Sequence, residues 1–127
     1  MPADRYQVRL LSIAEEDFTE IISFIAADNP TAADAIANKI EKNLELLSKN
    51  PNLGRIPREE EIRNLGYRYL IVQNYLIFYT IEERTIFIHR IMHNAQNSDI
   101  DLTILINLLL HLYALIRLLQ ADIKFAI

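Results

Sequence analysis

A few cations and tyrosines in the middle of the chain are the residues best suited to chemistry. Arg68 opens one apolar run, and Arg90 and His93 lie near the end of another. A guanidinium so placed can hold a phosphate through two parallel hydrogen bonds and stabilise charge that develops in phosphoryl transfer. His93, with a reference pKa of about 6.5, can move a proton at neutral pH. Arg55 follows Gly54 in a segment without periodicity and can reach a nearby anion. Tyr67, Tyr69, Tyr75 and Tyr79 can stack on bases. Each of these residues also has an ordinary structural role. The arginines can cap a sheet by pairing with glutamates, the histidine can be a strand-end surface group, and the tyrosines can pack a core.

Other chemistries do not fit the pattern. His89 and His93 are four apart, which on a strand is ~13 Å, beyond the reach of one ion. The run Glu59-Glu60-Glu61 cannot converge on a single ion from a helix or a strand, so it reads as a solvated surface. With two glycines there is no glycine-rich phosphate loop, and without cysteine there is no disulfide or thiolate metal site. No cofactor is expected. The formal net charge of −4 argues against broad nonspecific binding of nucleic acid, although a local basic patch remains open. The opening MPADRYQVRL lacks the apolar core of a signal peptide, so a cytoplasmic protein is expected.

The elements that must position these residues follow from periodicity. Tyr6, Val8 and Leu10 alternate with polar residues and predict a half-buried strand. Ser12 to Glu15 reads as a capping box, S-x-x-E, and Ala14, Phe18, Ile21, Ile22 and Ile25 continue at helical spacing to near Asp28. Asn29-Pro30 restarts a helix, whose stripe is Ala33, Ile36, Ala37, Ile40, Leu44 and Leu47. Asn50-Pro51 ends it. So short a link makes the two helices an antiparallel hairpin. Residues 51–65 read as a loop. Strands are predicted at Tyr67–Val72, Tyr75–Ile81 and Thr85–Met92, the middle one central because it is apolar on both faces.

Residues 1–97 make one domain, and 98–127 form a different, C-terminal helical extension. Ile100 to Leu119 is apolar nearly all round, with Thr103, Asn107 and His111 as a narrow polar stripe. The stretch Ile104 to Ile116 is interrupted by His111 and shorter than the ~20 residues that span a bilayer, and lengthening it admits Asp101 and Arg117. No membrane segment is expected. A helix so apolar must bury against its own sheet, a second copy or a partner. A homodimer through this helix is the expectation.

Several short motifs recur in a fixed order from Tyr6 to Asn97. They are Y-x-V-x-L-L-S with A-x-x-D (Ala14, Asp17), and N-P-x-A-A (Asn29 to Ala33). N-P-x-x-G-R (Asn50 to Arg55), G-Y-R (Gly66 to Arg68), Y-x-I-x-Y-x-I (Tyr75 to Ile81) and I-x-R-I-x-H (Ile88 to His93) follow. Together they resemble the RelE/ParE toxin family of type II toxin–antitoxin systems. The resemblance implies an α+β fold, with an N-terminal strand and an antiparallel helix hairpin packed on a twisted antiparallel sheet. It implies a growth-inhibiting toxin neutralised by a cognate antitoxin that wraps it. ParE-like members poison DNA gyrase, whereas RelE-like members cleave messenger RNA in the ribosome. Arg68, Arg90 and His93 occupy family-typical positions and would be catalytic in a nuclease; Arg55, Tyr67 and Arg68 would contact the target. The chain is acidic overall and lacks the lysine cluster of a strong RNase, so gyrase inhibition is expected slightly before mRNA cleavage. A self-associating, non-toxic remnant is the alternative from another class; Gln96, where members commonly carry an arginine, and the apolar tail favour it.

Overall fold

The computed structural model describes residues 5–93. Along them run β1 (Gln7–Leu10), α1 (Ser12–Ala26), α2 (Pro30–Lys49), α3 (Glu60–Asn64), β2 (Arg68–Val72), β3 (Tyr75–Glu82) and β4 (Thr85–His93). This is the expected α+β order. Among the described residues no helix is long and apolar enough to cross a membrane. The expected C-terminal helix, the dimer built on it and Gln96 lie outside the described residues.

The strands form one sheet in the order β1-β4-β3-β2. It is mixed rather than wholly antiparallel, because β1 runs parallel to β4. Parallel neighbours need a long crossover, and the helix hairpin with the β2–β3 hairpin supplies it. β3 is interior, as its two apolar faces require. The tight turns at Gln73 and Glu83 put both residues in the left-handed region, each at φ 56.

The capping box expected at Ser12 is not formed. Leu11 holds the N-cap place, its N–H donates to the Ile88 carbonyl at 3.0 Å, and its own carbonyl accepts from Ala14 and Glu15. Sheet pairing thus runs one residue past β1, and Ser12 is already helical. The second cap is as read: the Asn29 side chain accepts from the Ala32 N–H at 3.0 Å, and Pro30 occupies the first helical position.

Residues 51–65 are not all loop. Glu60 and Glu61 sit in the first turn of α3, where carboxylates favour the positive end of the helix dipole. Gly66 ends that helix at φ 87, with its N–H on the Arg63 carbonyl and the Tyr67 N–H on the Ile62 carbonyl. Such a left-handed cap favours glycine. It turns Tyr67 inward, against Ile62.

The sheet has two apolar faces. Ile77, Tyr79, Ile86, Ile88 and Ile91 face the helix hairpin and meet Ala14, Ile40 and Leu47, all buried. On the other face Ile62, Tyr67 and Phe78 form a smaller cluster under α3. A bulge in β4 links the two. Phe78 pairs with Arg90 and Tyr79 with Ile88, so His89 is the extra residue. The insertion changes the parity of the strand: Ile86 and Ile88 face the helices before it, Ile91 after it.

Candidate functional site

Past Ile88 the outer edge of β4 has lost its partner, because β1 has turned into α1. An unpaired strand N–H at a buried position is costly. The Asp17 carboxylate fills the gap from α1, and the Ile91 N–H donates to it at 3.0 Å. The same carboxylate accepts from Arg90 Nε at 2.7 Å and from its terminal nitrogen at 2.9 Å. This is a fork-to-fork ion pair with side chains 21% and 10% exposed. The hydrogen bond that Arg90 donates to Asp17 holds its guanidinium above the ordinary pKa, against the opposing effect of burial. Arg90 does pair with the helix hairpin, through an aspartate rather than a glutamate.

A second assembly fixes the segment after α2. Tyr79 Oη donates to the Pro51 carbonyl at 2.8 Å and accepts from the Gly54 N–H at 2.8 Å. Burial pushes this phenol up, with the Gly54 hydrogen bond and the charge of Arg68 opposing. Arg68 donates to the Gly54 carbonyl at 3.0 Å. Arg55 and Tyr69 exchange both backbone hydrogen bonds, at 2.7 and 3.0 Å, which lays the segment along the outer edge of β2. The side chains of Arg55 and Arg58 are left exposed beside Leu53 and Ile56, 45% and 55% exposed.

Tyr67, expected to meet a target, is a core residue at 1% exposure. Its hydroxyl lies 3.0 Å from His89 Nδ1, while His89 Nε2 lies 2.9 Å from Thr80 Oγ1. Both ring nitrogens are thus engaged, and burial pushes this histidine down to about 4. This triad was missed at the level of sequence, because only the bulge and the sheet register bring its members together.

His93 is exposed at the end of β4, its ring edge-on to Tyr75 at 5.4 Å. It pairs with Tyr75 in the sheet, whereas Arg68 pairs with Tyr79. The two are therefore separated by ~13 Å along the strands and ~10 Å across them. Arg68, Arg90 and His93 do not converge on one point.

The motif order can now be set beside known proteins. The model of a family described as the ParE toxin of type II toxin-antitoxin system, parDE, matches residues 8–98. The chain belongs to the ParE toxin family. A chromosomal ParDE toxin-antitoxin system from P. aeruginosa is similar in fold, at a TM-score of 0.60 and 18% identity, covering 72% of this chain and 98% of that one. The toxin-antitoxin complex RelBE2 from Mycobacterium tuberculosis is similar at 0.51 and 25%, covering 73% and 95%. A search of the curated proteins found no match. In this ParE family chain several of the motif residues serve the fold: Asp17 and Arg90 the sheet junction, Asn29 a cap, Gly54 a close approach, Gly66 a turn.

A Cβ on Gly54 would sit 2.5 Å from Tyr79 Oη and 2.9 Å from the Tyr69 carbonyl. Gly54→Ala should therefore cost about 1–3 kcal/mol in urea unfolding and loosen residues 51–58 to proteolysis. Wild-type stability would contradict the staple.

His89 binds its proton less tightly folded than unfolded, so its contribution to stability is full above about pH 6.5 and is lost as pH falls toward about 4. Comparing His89→Gln with wild type across that window should show about 3 kcal/mol of acid sensitivity that disappears in the variant. Equal pH slopes would contradict the buried neutral histidine.

Proposed function

We propose that this chain is the toxin of a type II toxin–antitoxin system and arrests growth by binding an essential target, with DNA gyrase placed before the ribosome. Its membership of the ParE family supports the toxin reading. A cognate antitoxin is proposed as partner because a similar solved structure is a toxin-antitoxin complex. Action in the cytoplasm follows from such a target.

The observation that carries binding over catalysis is the engagement of the cations. Phosphoryl transfer needs its charge-stabilising and proton-transfer groups converging on one atom. Here Asp17 holds Arg90, loop carbonyls hold Arg68, and His93 stands apart. Among the described residues, one exposed segment open to a target carries Arg55 and Arg58 beside Leu53 and Ile56. Arginine is among the residues enriched in interface hot spots. Ribosome-dependent mRNA cleavage is the second reading. The exposure of His93 favours it.

Expression without antitoxin should arrest bacterial growth and raise the DNA-damage response, with no new codon-phased cuts in primer extension. Arg55→Glu should relieve the arrest while leaving unfolding within about 0.5 kcal/mol of wild type, as surface changes do. Codon-phased cleavage abolished by His93→Ala would install the ribosomal reading. Unimpaired growth with a soluble, folded chain would favour the non-toxic remnant.

A further inference from the structure

Among the described residues, the face of the sheet turned away from the helix hairpin is only partly covered. The five-residue α3 lays Ile62 over Tyr67 and Phe78. Toward the Gln73 turn the cover stops. Ile71 pairs with Leu76, and Leu76 with Met92, so these three make one apolar row across three strands. Leu76 and Met92 are half-buried, and Ile71 is 40% exposed. Tyr69, also half-buried, lies in the next row on the same face.

We propose that residues 100–119 of this same chain cover that face, lying in cis across the Ile71–Leu76–Met92 row. The chain leaves the sheet at His93, the residue after Met92, so its continuation starts at one end of the row. Residues 94–99 reach up to ~20 Å when extended, and the row is ~10 Å wide. The segment is apolar nearly all round and cannot stay in water. A short tether gives it an effective concentration of order millimolar at its own sheet, well above a second copy at micromolar concentration. A homodimer through these residues, the expectation from sequence, becomes the competing outcome. The inference does not rest on the toxin reading, so either can fail alone.

The chain has no cysteine, so engineered thiols report without background. In the full-length protein, Ile71→Cys is combined in turn with Leu105→Cys, Leu109→Cys, Leu112→Cys and Ile116→Cys, and treated with a short bismaleimide. At least one pair should give an internally cross-linked monomer on a denaturing gel. The same tail positions combined with Phe24→Cys, on the far side of the hairpin and 83% exposed, should give none. The single Ile71→Cys variant should also react with a maleimide about tenfold more slowly than Phe24→Cys. Cross-linked dimers alone would place the tail on a second copy and overturn the proposal. Absence of any cross-link, with the two single thiols equally reactive, would leave the face open and overturn it too.

Discussion

The architecture depends on one carboxylate at the point where a strand ends. β1 must turn into α1 after Leu11, yet β4 runs on to His93. The edge of β4 beyond that point carries a buried N–H with no strand beside it among the described residues, and burying such a group unpaired costs about 1–3 kcal/mol. Asp17, one and a half turns into α1, replaces the missing strand. A buried carboxylate in turn needs a countercharge, and Arg90 supplies it. The bulge at His89 puts Arg90 and Ile91 in step with that carboxylate. Helix hairpin, strand crossover and bulge thus meet in one set of three hydrogen bonds.

This changes how the motifs are understood. Arginines near strand ends invite a reading as phosphate ligands. In the folded chain Arg90 faces an aspartate, and Arg68 faces the carbonyls of the segment it secures. Arg90 gives Nε and a terminal nitrogen to Asp17, and Arg68 gives a terminal nitrogen to the Gly54 carbonyl. The Tyr79 hydroxyl, the Arg68 guanidinium and the Arg55–Tyr69 bridge together hold the 51–58 segment on the outer edge of β2. That segment offers free guanidinium and apolar side chains at once. In this ParE family chain these contacts fix residues 51–58 against the sheet.

What could be read from sequence follows the range of the interactions. The helix hairpin was legible because Asn29-Pro30 and the apolar stripes act within a few residues. The three C-terminal strands were legible from β-branched and aromatic runs. β1 as a strand was legible, but its parallel pairing with β4 was not, since it joins residues far apart in the chain. α3 escaped because five residues carry no periodicity. The capping box at Ser12 misled because sheet pairing took Leu11 as the cap. Among the site residues, the structural partner of Arg90 was right in kind. Tyr67 was misplaced, because the left-handed turn at Gly66 sends it inward and no local pattern reveals that. His89 gave no signal, since one inserted residue in a strand reverses which face every later side chain occupies.

The central claim is that Asp17 and Arg90 act as one unit that joins the helix hairpin to the sheet. A double-mutant cycle on unfolding free energy, with Asp17→Ala, Arg90→Ala and the pair, tests it directly. Either single change should cost nearly as much as both together, with a coupling of at least about 2 kcal/mol. Single costs that add to the double within about 0.5 kcal/mol would mean that the two residues are independent, and the account of the fold would be wrong at its centre.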